Sequence, residues 1–238
     1  MEKVTTSRIK ALKKKSQKIS MLTAYDYSFA KILDEAGVDI VLVGDSLGNV
    51  VLGYETTRDV KMADMVHHTK AVANGTKRAM VVADMPFGSM KNALANAQEL
   101  VKAGGEAVKI EGIQEIQGIK EILEKGIPVM GHLGCLPQTA KEYKIQRALE
   151  IVEQAKLLEQ AGVFAIVLEL VAPEIAKEIT KTVNVPTIGI YSGPHCDGQV
   201  LVSYDMLGLY ANAPKHAKKY VDLTAEVKKA VQGFLGDN

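Results

Sequence analysis

The sequence lacks an excess of charge of either sign. It contains 29 Lys and Arg residues against 28 Asp and Glu residues, for a formal net charge of +1. Because domains that bind nucleic acids usually carry a clustered basic surface, we expect no nucleic-acid partner. The sequence also lacks an apolar run of the roughly 18 residues that a membrane span needs. We therefore expect no association with a membrane.

Cysteine is scarce, and the two that occur, Cys135 and Cys196, lack the short spacing of zinc sites and redox motifs. The N-terminal segment lacks the apolar stretch of a secretory signal. Together these features lead us to expect a reducing, cytoplasmic location. No Pro-rich, low-complexity or linker-like tract interrupts the chain. We therefore expect residues 1–238 to form a single domain.

What the sequence does contain is a repeated pattern of apolar runs that end in an ionisable residue. The clearest case is Val41-Leu42-Val43-Gly44, which is followed at once by Asp45. Such runs are typical of strands that are buried on both faces, as in parallel sheets. Four further apolar runs end at Asp84, Glu111, His132 and Glu169. Ligands bind at the carboxyl ends of parallel strands, so we expect these groups to meet at one edge.

Helical segments alternate with these apolar runs. Several of them stop at a glycine, which tolerates the left-handed conformation that often ends a helix. Counting from Ile19–Thr23, the pattern predicts eight strands with helices between most of them. We therefore expect an α/β fold, a (β/α)8 TIM barrel preceded by an N-terminal helix that begins near Thr5. An open doubly wound sheet is the alternative.

Three carboxylates are candidates for binding a metal ion. Asp45, Asp84 and Glu111 follow three different predicted strands and offer only hard oxygen donors, which favours Mg²⁺ with water and substrate as further ligands. The alternative is that Asp45 and Asp84 only cap the helices that follow them. The convergence of all three at a barrel rim favours the metal site.

Three other residues could take part in the chemistry. Lys109 lies two residues before Glu111, so both side chains point to the same face of the strand. It either forms a structural ion pair with Glu111 or binds an anionic substrate. His132, taken alone, could instead be a hydrogen-bonded core histidine. Glu169 ends an apolar run, and apolar surroundings raise the pKa of a carboxyl group, which suits a general acid or base.

This set of groups suits one class of reaction. A 2-oxo acid can chelate Mg²⁺ through its carboxylate and keto oxygens, and the metal stabilises the enolate that forms when a base removes the adjacent proton. A second reactant held beside the enolate would then react with it. The spacing of the residues does not name that reactant.

Linked motifs extend over nearly the whole chain, from about Thr5 to about Leu223. In order they are residues 21–27 (MLTAYDY), 43–48 (VGDSLG), 83–87 (ADMPF), 108–112 (VKIEG) and 128–134 (PVMGHLG), followed by Pro137-Gln138 and by residues 197–202 (DGQVLV). This set resembles the ketopantoate hydroxymethyltransferase family. The resemblance implies a TIM barrel of the phosphoenolpyruvate/pyruvate superfamily. It also implies transfer of a hydroxymethyl group from 5,10-methylenetetrahydrofolate to 3-methyl-2-oxobutanoate, a step in pantothenate synthesis.

The resemblance also implies roles for individual residues. Asp45 and Asp84 match the Mg²⁺ ligands of the family, and Glu111 completes the metal shell. Glu169 matches the acid/base residue. The residues at the oxo acid are implied to be Asp45, Ser46, Asp84, Lys109 and His132. The family forms homodecamers, so we expect a homo-oligomer.

The sequence departs from the family pattern at two places in particular. Tyr191-Ser192 stands where the family usually has Gly-Ala, and the loop after Gln138 lacks the usual Gly pair. These departures leave an alternative function, a Mg²⁺-dependent lyase or mutase of the same superfamily that acts on another 2-oxo acid. A non-catalytic ligand-binding barrel is a further alternative, against which Lys109, Glu169 and the three carboxylates argue.

Overall fold

Eight parallel strands close into a barrel in which neighbouring strands follow one another along the chain. The computed structural model describes residues 2–210 and 217–237. The strands are β1 Ile19–Thr23, β2 Ile40–Val43, β3 Met80–Asp84, β4 Ala107–Glu111, β5 Val129–Gly134, β6 Ala165–Glu169, β7 Thr187–Ile190 and β8 Gly198–Leu201. The predicted (β/α)8 barrel is confirmed, and the open doubly wound sheet is wrong.

Helices occupy most connections between the strands and also precede and follow the barrel strands. They are α1 Thr6–Lys14, α2 Tyr27–Glu35, α3 Leu47–Val50, α4 Met62–Gly75, α5 Ala93–Lys102, α6 Ile116–Glu124, α7 Glu150–Ala161, α8 Pro173–Thr182, α9 Ser203–Leu207 and α10 Leu223–Gly236. Two 3₁₀ turns, Thr57–Asp59 and Ser89–Asn92, lie after β2 and β3.

The N-terminal helix begins where the sequence predicts. The Thr5 side chain accepts a hydrogen bond from the Arg8 backbone N–H, which satisfies one of the amide groups left open at a helix start. Asp26 caps α2 in the same way through the Phe29 N–H, at 2.8 Å. Ile9 is the buried residue of α1, as expected for a helix whose other faces are solvated.

The barrel interior is filled by apolar side chains. Every residue of β2, β3 and β7 is buried, which agrees with strands covered on both faces. The core cluster draws on all eight strands and includes Met21, Ile40, Val82, Met130 and Ile188. This packing fixes the strands rigidly, and therefore also the residues at their carboxyl ends.

A buried carboxylate anchors the turn between α4 and β3. Asp34 of α2 accepts hydrogen bonds from the backbone N–H groups of Lys77, Arg78 and Ala79, at 2.6–3.2 Å. Burial raises the pKa of Asp34, but these hydrogen bonds and the charge of Lys3 together hold it below its ordinary value. The ionised carboxylate therefore ties α2 to the entry of β3.

Several strands extend further than the sequence predicts. The apolar runs suggest that the ionisable groups lie just past the strands, but Asp84, Glu111 and Glu169 are the last residues of β3, β4 and β6. His132 lies inside β5, which continues to Gly134. The reason is that pairing with the neighbouring strand continues beyond the apolar residues, because backbone groups pair whatever the side chain.

By its contacts the chain divides into two compact units, one ending at Val200 and the other starting at Leu201. The first contains most of the barrel, and the second contains α9 and α10. The prediction of a single domain over residues 1–238 stays a prediction. Within the described ranges, none of the helices is both long enough and apolar enough to cross a membrane.

Candidate active site

Strand register brings the candidate residues together at the barrel mouth. Asp84 of β3 pairs with Lys109 of β4, and Glu111 of β4 pairs with His132 of β5. Neighbouring strands lie about 4.8 Å apart, so paired side chains on the same face come into contact. Glu169 of β6 pairs with a residue two positions beyond His132, which places it diagonally next to the imidazole. Three consecutive strand contacts therefore form one continuous polar cluster.

Lys109 is the buried cation of this cluster. Its Nζ lies 3.0 Å from Asp84 Oδ1 and 3.3 Å from His132 Nδ1. One of the two alternatives predicted for Lys109 was an ion pair with Glu111. In the structure the ion pair is with Asp84 instead. The reason is register, because Asp84 lies directly across the strand whereas Glu111 is two residues further along the same strand. Burial lowers the pKa of Lys109, but the neighbouring carboxylates, Asp84 and Glu111 first among them, together have the larger effect and raise it above its ordinary value. The ammonium is therefore charged.

Asp45 lies two residues beyond β2 and faces Asp84. Its backbone N–H donates a hydrogen bond to Asp84 Oδ2, at 3.0 Å. Burial, followed by repulsion from Asp84 and Glu111, raises the pKa of Asp45 to about 8, and burial also raises the pKa of Asp84. Neither residue stands at the N-cap of a helix, since Ser46 precedes α3 and the turn after β3 begins at Ser89.

His132 connects two carboxylates. Its Nδ1 lies 3.6 Å from Glu111 Oε1, and its Nε2 lies 3.3 Å from Glu169 Oε2. Burial and the Lys109 charge lower the pKa of His132, but the two carboxylates raise it above its ordinary value. Burial raises the pKa of Glu111, but contact with His132 and the charge of Lys109 hold it below its ordinary value. Glu169 is the most exposed of these groups, at 14% of its side-chain surface, so a substrate can reach it.

The carboxylates at the barrel mouth can be compared with the ligands that Mg²⁺ requires. Among the described residues, the buried Asp84 Oδ1 has no hydrogen-bond partner, although the Lys109 ammonium lies 3.0 Å from it. Within the same part of the chain, no group of three or more His, Cys, Asp or Glu side chains is placed to hold a metal ion. Mg²⁺ is commonly held by one or two carboxylates, with water and substrate oxygens completing its octahedron. With only two carboxylates required from the protein, Asp45 and Asp84 fit such an ion.

Ser46 is supported by a residue that was not among the predicted site residues. The Ser46 Oγ lies 2.9 Å from the hydroxyl of Tyr25, which is buried two residues beyond β1. Tyr25 belongs to the motif at residues 21–27, but the sequence indicates no role for it. The contact fixes the Ser46 hydroxyl at the rim.

Two other residues, neither of them predicted as a site residue, hold the segment that carries Glu169. The buried Ser192 Oγ donates to the Leu168 carbonyl at 2.7 Å and accepts the Val171 N–H at 2.9 Å. Gly134 adopts a φ of +100°, and a Cβ at this position would collide with the Glu169 carbonyl oxygen. Both contacts restrict where Glu169 can lie, and neither follows a sequence periodicity.

Gln138, from the connection after β5, also enters the site. Its side-chain Nε2 donates a hydrogen bond to Asp45 Oδ2 at 2.8 Å. The resemblance included this residue as part of a motif, but it was not predicted as a site residue.

The closed parallel barrel and the acidic cluster at the carboxyl ends of its strands define the class of protein, a (β/α)8 barrel with its site at the C-terminal mouth. Solved structures of similar fold include a 2,3-dimethylmalate lyase described as a member of the PEP mutase/isocitrate lyase superfamily. It has a TM-score of 0.70 and 16% identity, over 100% of this chain and 86% of that one. A phosphonopyruvate hydrolase in complex with oxalate and Mg²⁺ has a TM-score of 0.66 and 16% identity, over 85% and 81% of the two chains.

The chain belongs to the ketopantoate hydroxymethyltransferase family, whose model matches residues 3–237. A 3-methyl-2-oxobutanoate hydroxymethyltransferase from Ignicoccus hospitalis is 53% identical, over 98% of this chain and 94% of the relative. A protein of the same name from Caldicellulosiruptor saccharolyticus is 51% identical, over 100% of this chain and 95% of the relative. The predicted family is confirmed.

Proposed function

We propose that this chain transfers a hydroxymethyl group from 5,10-methylenetetrahydrofolate to 3-methyl-2-oxobutanoate, which gives 2-dehydropantoate. A new carbon–carbon bond forms at C3 of the oxo acid, the carbon–nitrogen bonds to the folate methylene break, and one water supplies the hydroxyl group. The observation that carries the proposal is the cluster of Asp84, Lys109, His132 and Glu169 on consecutive strand ends, in a chain that belongs to this family.

The oxo acid would bind over the buried cation. Lys109 is held by Asp84 and His132 and is charged, so it would attract the substrate carboxylate, and Ser46 would offer a hydroxyl group. Asp45 and Asp84 would hold Mg²⁺, with Glu111 acting through water. Bound Mg²⁺ would supply electrophilic stabilisation of the negative charge that develops on the keto oxygen.

Glu169 is the proposed base. It is the carboxylate of the cluster with access to the mouth, and it would accept the proton from C3 of the oxo acid. His132 faces Glu169 on one side and Lys109 on the other, so it orients the carboxylate and links it to the charged lysine. Because the imidazole is buried and fixed by both neighbours, little reorganisation is needed during the reaction.

The co-substrate would bind beside Glu169. An open cavity of about 450 Å³, within the range of small-molecule sites, lies in the connection after β5. Its wall begins at Gly134 and Cys135, and the Cys135 N–H donates to the Glu169 carbonyl at 2.8 Å. Lys141 and Lys144 also line the cavity and could attract the carboxylates of a folate tail.

The proposed activity is tested with the purified chain, 3-methyl-2-oxobutanoate, 5,10-methylenetetrahydrofolate and Mg²⁺. We expect 2-dehydropantoate to form only when all three are present. In deuterated water without folate, we expect Mg²⁺-dependent exchange of the C3 proton of the oxo acid. A folded, Mg²⁺-loaded protein that exchanges this proton but forms no product would indicate a different second reactant. Absence of both reactions would contradict the proposal.

We also propose a cytoplasmic location and assembly into a homodecamer, as the family resemblance implies. The apolar side chains of Val227, Val231 and Leu235 recur every four residues along α10 and are exposed, which supports contact with other copies. Analytical ultracentrifugation should give a mass ten times that of one chain, and a monomer at micromolar concentration would contradict the proposed assembly.

A further inference from the structure

Gln138 contacts two of the three proposed metal-site carboxylates at once. Its side-chain Nε2 donates one hydrogen bond to Asp45 Oδ2, at 2.8 Å, and one to the Met85 carbonyl, at 2.9 Å. Its backbone N–H donates to Glu111 Oε2, at 3.1 Å. The residue is 8% exposed, so these hydrogen bonds are shielded from water. One loop residue thus connects the rim positions that follow β2 and end β4.

The position of Gln138 is itself fixed from two sides. The Arg58 Nε donates a hydrogen bond to the Gln138 carbonyl at 2.7 Å, and the Arg58 guanidinium lies 5.8 Å from the centre of the Phe87 ring. Both N–H groups of the Gln138 amide are used, so the side chain has a single favourable orientation. Segments after β2, β3 and β5 therefore meet at this residue.

We propose that Gln138 is a positioning residue of the metal site, an inference that rests on the Mg²⁺ binding of the proposed function. It holds Asp45 through Oδ2, which leaves Asp45 Oδ1 to face the ion, and it holds Glu111 through Oε2. A neutral donor on each carboxylate favours the ionised form without competing for the metal as a second cation would. Outer groups that orient metal ligands in this way commonly contribute 10–100-fold to metal affinity.

The test measures Mg²⁺ binding by calorimetry, without either substrate, in the Gln138→Met variant. Methionine has a similar length but donates no hydrogen bond, so we expect Mg²⁺ affinity to fall about 10–100-fold. Gln146→Met is the matched control, since Gln146 lies in the same connection and, among the described residues, its side chain donates to the Lys144 carbonyl and to none of the proposed metal-site carboxylates. We expect the control to bind Mg²⁺ like the wild type.

A steady-state experiment separates positioning from a general loss of structure. Because Gln138 acts through the ion, raising Mg²⁺ should restore most of the lost kcat of Gln138→Met, whereas a distorted barrel would stay slow at every Mg²⁺ concentration. If the Met variant does not fold, as judged by circular dichroism, Gln138→Asn replaces it. Its amide is one methylene shorter and cannot reach Asp45 and Met85 together, so the same weakening is expected.

The outcomes distinguish this inference from the function on which it rests. Wild-type protein that binds Mg²⁺ while a folded Gln138 variant binds it equally well would overturn the positioning role alone. Wild-type protein that binds no Mg²⁺ would overturn both. A variant whose loss of turnover is the same at all Mg²⁺ concentrations would also overturn the positioning role.

Discussion

His132 Nε2 lies 3.3 Å from Glu169 Oε2, across the interface between β5 and β6. The other ring nitrogen, Nδ1, lies 3.3 Å from the charged Lys109 ammonium, which can only donate. When the imidazole is neutral, its proton therefore resides on Nε2, the ring nitrogen that lies next to Glu169. The imidazole therefore lies between the charged lysine and the proposed base.

The first prediction concerns that base. Glu169→Gln keeps the shape of the side chain but cannot accept a proton, so turnover should fall about 10²–10⁴-fold. Binding of Mg²⁺ and of the oxo acid should stay close to wild type, because Lys109 and the aspartates are unchanged. Initial rates and calorimetric titrations measure the two effects. The control is Glu174→Gln, an exposed carboxylate of α8 that pairs with Arg147. Wild-type turnover in Glu169→Gln would exclude the proposed role.

The second prediction concerns pH. In the metal-free chain the pKa of Asp45 is about 8, raised by burial and by the neighbouring carboxylates, so Mg²⁺ must displace its proton at neutral pH. Affinity for Mg²⁺ should therefore rise up to about tenfold per pH unit below pH 8 and level off above it. Calorimetry in two buffers of different ionisation enthalpy should detect proton release. An affinity that does not change between pH 6 and pH 8 would contradict the assignment.

The same shift has a consequence for stability. Between about pH 4 and pH 8 the folded state keeps the Asp45 proton, whereas the unfolded chain has released it. The free energy of unfolding of the metal-free chain therefore falls as pH rises through that window. His132, whose pKa is also raised, acts in the same direction as pH rises above its ordinary value. Thermal denaturation should show the decline, and Asp45→Asn should remove part of it.

The third prediction concerns Ser192. Ser192→Ala leaves the buried Val171 N–H without its acceptor, which should lower the free energy of unfolding by about 1–3 kcal/mol. It also frees the Leu168 carbonyl next to Glu169, so kcat should fall more than Mg²⁺ affinity does. Ser20→Ala, which removes a hydroxyl of β1 that donates a hydrogen bond to Asp39, is the control for turnover. Unchanged kcat in a folded Ser192→Ala variant would show that this contact does not position Glu169.

The fourth prediction concerns the structural carboxylate Asp34. Asp34→Asn weakens the hydrogen bonds from Lys77, Arg78 and Ala79, so the free energy of unfolding at pH 7 should fall by about 1–3 kcal/mol. The pKa of Asp34 is lowered in the folded state, so its stabilisation is present above about pH 4 and is lost as pH falls further. Urea denaturation at pH 7 and pH 3 measures the difference, with the exposed Asp59→Asn as control. Equal losses at both pH values would contradict the ionic contribution.

Much of the fold could be predicted because each strand is a short apolar run and several helices end at glycine. The first strand, Ile19–Thr23, has the bounds that the pattern indicates. The extension of β5 through His132 could not be predicted, since backbone pairing with β6 decides where the strand ends. Periodicity identifies which face a residue occupies, but not how far pairing continues.

The candidate site, like the fold, could be predicted only in part. Asp84 and Glu169 could be placed at the rim from the sequence, because both end apolar runs. The partner of Lys109 could not, because it depends on the register between β3 and β4, which a single sequence does not specify. Gln138 and Ser192 lie in connections without periodicity, so their contacts depend on how distant loops meet. Positioning residues of this kind become visible only in three dimensions.

The magnesium site is tested most directly by a calorimetric titration of Mg²⁺ into the wild-type chain and into Asp84→Asn, with circular dichroism to establish that both are folded. Asp84 accepts the Asp45 N–H through Oδ2 and faces the site with Oδ1, so the substitution removes a charge where the ion would bind. We expect the wild type to bind Mg²⁺ and the variant to lose most of that affinity. Equal affinity in the two proteins would contradict a metal site at these carboxylates.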